Sequence, residues 1–157
     1  MPLNRDCLGR STTSGEPFEV TRGDVRRFAT AIGDRNPACH DVAAAAALGH
    51  RDLVAPPTFL ITLGMSTAES LIMDPELGLD YSLVVHGEQR FALHRPVCAG
   101  DLLDTETRLD AMRDAGRNEL LTIVTEVRCA GEHVATSTNS LVSRGTAAPR
   151  TPTTPEA

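Results

Sequence analysis

The sequence has no tryptophan and no lysine, and only one tyrosine and four phenylalanines among its 157 residues. So few rings cannot build the stacking platforms on which single-stranded nucleic acids are held. All 15 basic residues are arginine, scattered among 21 acidic ones for a net charge of −6. No basic stripe is left to neutralise a phosphate backbone, so no nucleic acid partner is expected. The cysteines, Cys7, Cys39, Cys98 and Cys129, lie far apart, without the close pairs of zinc or thiol-redox sites. No glycine-rich phosphate loop occurs either, and the expectation is a protein with no metal and no organic cofactor. Also absent are a run of eighteen apolar residues and, over Met1 to Gly15, a basic or apolar leader region. These absences point to a cytoplasmic protein with reduced thiols and no membrane partner.

What is present is ordinary globular material, 41% hydrophobic and 23% charged, of a length that suits one domain with a sizeable core. The polar ends suggest a mobile segment over residues 1–16 and a disordered tail over 145–157, around a single domain at 17–144. Thr21 with Asp24 reads as a capping box opening a helix whose apolar positions are Val25, Phe28, Ala29 and Ile32, with Gly33 as its stop. Asp41 caps a second, short helix ending before Gly49. After Pro56 and Pro57, the longest apolar segment runs from Thr58 to about Met73 and reads as a largely buried helix wrapped by a sheet. Four long strands follow, over Ser82 to Arg95, Leu102 to Arg113, Glu119 to Cys129 and His133 to Ser143. Short Gly, Asn and Asp links imply antiparallel hairpins and an α+β class. In the first of these strands, alternation puts Leu83, Val85, Gly87, Gln89, Phe91 and Leu93 toward the helix. His86, Glu88, Arg90 and His94 then face outward, as a candidate subunit interface.

The run Phe28-Ala-Thr-Ala-Ile-Gly-Asp-Arg-Asn-Pro-Ala-Cys-His-Asp41 resembles the hydratase motif of MaoC-like dehydratases. Leu53 to Phe59, Val85 to Phe91, and Arg95 to Asp101 are similar to further stretches of that family's branch related to type I fatty acid synthase dehydratase domains. The resemblance covers most of Phe18 to Val142 and extends to actinobacterial 3-hydroxyacyl carrier-protein dehydratase subunits. It implies a hot-dog fold, a long central helix wrapped by a curved antiparallel sheet. It also implies reversible loss of water from (R)-3-hydroxyacyl thioesters carried on coenzyme A or an acyl carrier protein, without cofactor. By the same resemblance Asp34 and His40 are the candidate catalytic pair, and Asn36, Pro57, Thr58 and Phe59 are candidate substrate contacts.

One departure stands at the centre of the motif: where active members carry histidine, this chain has Cys39, and His40 follows one residue late. On a turn entering a helix, one residue rotates a side chain by roughly 100°. Elimination of water needs one group to take the C2 proton and another to protonate the leaving C3 hydroxyl, work suited to a positioned imidazole. The developing charge on the thioester oxygen calls for a backbone donor, for which the helix starting near Thr58 is the candidate. Two functions follow: a dehydratase or hydratase using Asp34 and His40, or a non-catalytic acyl-binding subunit paired with a separate catalytic hot-dog subunit. A hot-dog thioesterase shares the fold, and only the loop and strand motifs speak against it. A homodimer or a heterodimer is expected in each case, because one sheet around one helix leaves open edges.

Overall fold

The computed structural model describes residues 1–148 of the chain. The first helix, α1 (Arg22–Ala31), opens on the expected capping box: Thr21 Oγ1 accepts from Asp24 N at 3.1 Å, and the Asp24 carboxylate accepts from Thr21 N at 3.0 Å. Val25 and Ala29 are its buried positions. In the second, α2 (Val42–Ala47), Asp41 Oδ1 accepts from the N–H groups of both Ala43 and Ala44. The long helix α3 (Ile61–Ile72) starts three residues later than Thr58. After two prolines the chain first makes a turn, in which Phe59 N donates to Pro56 O at 2.9 Å and Ile61 N to Thr58 O at 3.1 Å.

The strands are β1 (Ser11–Thr13), β2 (Phe18–Glu19), β3 (Val84–Leu93), β4 (Leu102–Ala115), β5 (Asn118–Cys129) and β6 (Glu132–Ser143). They form one antiparallel sheet in the order β1-β4-β5-β6-β3, with β2 also on β4. This is the hot-dog arrangement, with α3 lying along the inner face. Two apolar clusters bracket that helix. Phe59, Leu60 and Leu63 at its start pack with Leu103, Val127 and Ala135, and Ala68, Leu71 and Ile72 at its end pack with Leu109, Leu121 and Leu141. A hydroxyl tier separates them: Thr67 Oγ1 meets Thr105 Oγ1 at 2.7 Å, Thr107 meets Thr125 at 2.8 Å, and Gln89 Nε2 donates to Ser137 Oγ at 2.7 Å. The sheet covers only one side of α3, since Met65 and Met73 remain 38% and 59% exposed.

Three expectations need correction. Alternation along β3 breaks at Gly87, where the pairing shifts between His86 and Glu88. His86 pairs with inward-facing Leu141 and Glu88 with Ser140, so His86 and Glu88 do not share a face, and Val84 packs on the core in place of Val85. Glycine suits the bulge because a Cβ there would stand 3.2 Å from both Ser140 O and Val142 Cγ2. Residues 1–16, expected to be mobile, are instead tied down. Leu3 and Cys7 are buried in the second cluster, Leu3 N donates to the fully buried Glu119 carboxylate at 2.9 Å, and Arg5 Nη2 reaches it at 2.7 Å. A buried carboxylate needs such partners, so the segment that supplies them is held. At the other end Thr146 is buried and Ala147 N donates to Arg117 O at 3.2 Å; the rest of the expected tail, residues 149–157, lies outside the described residues. No helix of the described residues is long and apolar enough to cross a membrane.

Candidate functional site

The loop between α1 and α2 carries the polar residues of the motif, and each is placed by local hydrogen bonding. Gly33, at φ +73°, lets the chain leave α1, and Asp34 N then donates to Ala29 O at 2.8 Å. Asp34 Oδ1 accepts from Asn36 N at 2.9 Å and Asn36 Oδ1 from Ala38 N at 3.1 Å, two successive Asx-type turns. Pro37 then opens the short 3-10 turn Pro37–Cys39. Val54 N donates to Ala38 O at 3.0 Å, and Ala55 N to Val97 O at 2.8 Å. These bonds bring the loop, the Pro56-Pro57 segment and the end of β3 around a common space.

That space is a cavity of about 460 Å³, into which Asp34, Asn36 and Cys39 face from the loop. Val54 to Pro57 line it from the second segment and Leu93 to Pro96 from the end of β3, with His50 also on its wall. Cys39, 2% exposed, holds its Sγ 3.9 Å from Asp34 Oδ2. Burial, and then the neighbouring Asp34 charge, push its thiol pKa up, so it stays protonated at neutral pH. His40 is not among the lining residues. Its Nε2 lies 2.8 Å from the backbone oxygen of Asp34, and its own carbonyl accepts from Arg26 Nε at 3.0 Å.

The structure therefore brings together Asp34, Asn36 and Pro57 of the residues singled out in the sequence. It sets His40 on the loop's backbone, Thr58 exposed at the turn before α3, and Phe59 in the core. The Phe59 ring stands 5.5 Å from that of Phe28 at 85°. There it helps line a separate cavity of about 380 Å³ between α1 and α3, with Phe18, Phe28 and Leu63. Sequence reasoning missed the two imidazoles on the wall of the first cavity. Alternation places His94 outward, and it is exposed, but one residue past the end of β3 it also lines this cavity. His50 belongs to no motif, and only the fold brings it to the cavity. Among the described residues no group of three or more His, Cys, Asp or Glu could hold a metal ion.

Beside this cavity lies a buried charge cluster. Asp101, 2% exposed, accepts from Cys98 N at 2.8 Å, from Arg95 Nη1 at 2.9 Å and Nη2 at 3.1 Å, and from Arg51 Nη2. Burial alone would raise its pKa. The Arg95 hydrogen bonds, the Cys98 N–H and the two guanidinium charges outweigh burial and lower it.

Comparison with known proteins agrees with this architecture. The profile of a family described as "FAS1-like, dehydratase domain region" matches residues 7–137. A UPF0336 protein of Parafrankia sp. (strain EAN1pec) is 58% identical over 156 residues, which is 96% of this chain and 100% of the relative. Among solved structures, a MaoC-like dehydratase is 32% identical with a TM-score of 0.83 over 88% of this chain, which spans only 42% of that longer one. The C-terminally truncated HadBC (3R-hydroxyacyl-ACP dehydratase) complex from Mycobacterium tuberculosis is 28% identical, with a TM-score of 0.80 over 89% of this chain and 99% of that one.

Proposed function

Because the chain belongs to the FAS1-like dehydratase region family, we propose that it is a hot-dog subunit of a 3-hydroxyacyl thioester dehydratase, or 2-enoyl thioester hydratase. In this reading it binds the acyl thioester and leaves proton transfer to a second, catalytic hot-dog subunit. The observation that carries the reading is the state of the loop: the cavity wall has a protonated thiol, Cys39, in the histidine slot, while the His40 ring is engaged with the Asp34 carbonyl. Removal of the C2 proton and delivery of a proton to the leaving hydroxyl both need a group that titrates near neutrality. The thiol does not, and His40 does not reach the space where the acyl chain would react.

Asp34, Asn36 and the Pro56-Pro57 wall still form a pocket with an apolar side and a few fixed polar groups, the usual make-up of a small-molecule site. The cargo proposed for it is an acyl group on coenzyme A or an acyl carrier protein, with no cofactor. Pairing with a second hot-dog subunit draws support from the solved HadBC complex, whose chain this one resembles over nearly its whole length. A second reading, turnover by this chain itself as a homodimer, is favoured by one observation: His50 and His94 stand on the same wall as Asp34.

Hydration of a short 2-enoyl thioester, assayed with this chain alone and with a catalytic hot-dog subunit carrying the intact histidine motif, separates the two. The subunit reading expects activity only in the mixture, unchanged by His40→Ala. Turnover by the chain alone that falls at least about a hundredfold in Asp34→Ala, as loss of a positioned acid or base does, contradicts it.

A further inference from the structure

The open edge of the sheet carries a charge pattern that complements itself. Among the described residues β3 pairs only with β6, so the other side of its backbone is open. Past the bulge, Gln89 and Phe91 turn inward, to the hydroxyl tier and the first apolar cluster. Glu88 and Arg90 therefore share the outer face, with side chains 64% and 75% exposed. On β6 they stand opposite Ser140 and Thr138, which carry no charge. Among the described residues their only ion pair is with each other, at 3.4 Å. An apolar surface adjoins this edge. Met65 shares a small pocket with Gln89, and Met65, Met73 and Tyr81 are 38%, 59% and 53% exposed around a groove of about 490 Å³. Tyr81 opens the turn that leads straight into β3.

Residues directly opposite one another in an antiparallel pair point to the same face, so a strand that meets its own copy about a two-fold axis must be centred on a residue. Centring on Glu88 or on Arg90 sets a like charge against itself. Centring on Gln89 sets Glu88 against Arg90 of the second copy, twice over by symmetry. Centring on Phe91 sets Arg90 against Ala92 and gives it no partner. We propose that, in the absence of a catalytic partner, the chain is an isologous dimer joined along its β3 edges in the register centred on Gln89. Two Glu88–Arg90 pairs between the copies select that register, and the second copy covers the exposed side of α3. The net charge of −6 opposes self-association at long range, so the attraction that fixes the register is local. The inference goes beyond the acyl-thioester reading. A catalytic hot-dog subunit that docks on the same edge has to displace the second copy, and self-pairing then governs how much chain is free to join it.

Sedimentation equilibrium of the full chain and of its charge variants is the test. The unmodified chain is expected at twice the monomer mass at micromolar concentration. Glu88→Arg and Arg90→Glu each place two like-charge contacts across the axis, and each should raise the dimer dissociation constant at least about tenfold. An equimolar mixture of the two variants should recover the dimer, because every charge then faces its opposite. A chain carrying both Glu88→Arg and Arg90→Glu should self-associate as the unmodified chain does. A monomeric unmodified chain overturns the inference. So does a dimer that withstands Arg90→Glu, the result that the register centred on Phe91 gives. Single variants that stay monomeric when mixed, or a doubly exchanged chain that does not dimerise, overturn it as well. None of these outcomes touches the acyl-thioester reading, which is scored by hydration in the mixture with a catalytic subunit.

Discussion

At the scale of single residues, the site is governed by which polar groups are already spent. The Cys39 thiol is buried, its pKa is raised, and it points at a carboxylate. It should therefore resist iodoacetamide at pH 7 in the folded protein and react only on unfolding, as mass spectrometry of the labelled chain would record. Fast native-state labelling would show a reactive thiolate. His40 is fixed to the Asp34 carbonyl at 2.8 Å, a bond whose loss costs on the order of 1 kcal/mol. The variant His40→Ala should lower denaturant stability by about that amount. Asp101 carries the clearest pH dependence. Its folded pKa lies below the ordinary carboxylate value, so its stabilisation is fully present above the unfolded value of about 3.9 and is lost as pH falls through the folded pKa. A pH series of thermal melts should be flat in this contribution near neutrality and fall in the acid range. Asp101→Asn, which leaves the partly buried Arg95 with only the exposed Glu132 as a charge partner, should cost about 3 kcal/mol. A neutral effect would reduce the cluster to surface decoration.

At the scale of elements, the helices were legible because their start and stop signals are local: Thr21 with Asp24, Asp41, and Gly33 all cap where the chemistry of orphan N–H and C=O groups requires. Thr21→Ala should accordingly destabilise by roughly 1 kcal/mol in chemical denaturation. The four long strands were equally legible from alternation and turn residues, to within two residues at each end. The bulge at Gly87 was not, because nothing in a period of two announces the residue at which it slips. Gly87→Ala would drive a Cβ to 3.2 Å from the Ser140 carbonyl. An overpacking loss of about 1 kcal/mol is expected in equilibrium unfolding, and a stabilised variant would mean that the glycine relieves no crowding. The hold on the N-terminal segment is illegible for a different reason. Its burial depends on Glu119, more than a hundred residues away in sequence, and no local signal reports a partner at that distance. In the same way His50 and His94 reach the cavity wall only through the tertiary fold, whereas Asp34 and Asn36 could be read from a contiguous motif.

At the scale of the whole molecule, β3 is an edge strand of the sheet, and the outer side of α3 leaves Met65 and Met73 exposed. Open edges of this length are normally covered, and a second hot-dog subunit is the cover that agrees with the proposed division of labour. Mixing this chain with a catalytic hot-dog subunit should produce a stable species of their summed mass in sedimentation, and two separate monomer peaks at micromolar concentration would argue against it. The central claim is that the chain holds the acyl thioester but carries a protonated thiol, Cys39, in the slot where the motif's imidazole would move its protons. The most direct measurement is the steady-state hydration rate of a short 2-enoyl coenzyme A thioester by the purified chain alone. The account predicts no rate above the uncatalysed reaction, and a rate that Asp34→Ala abolishes would contradict it.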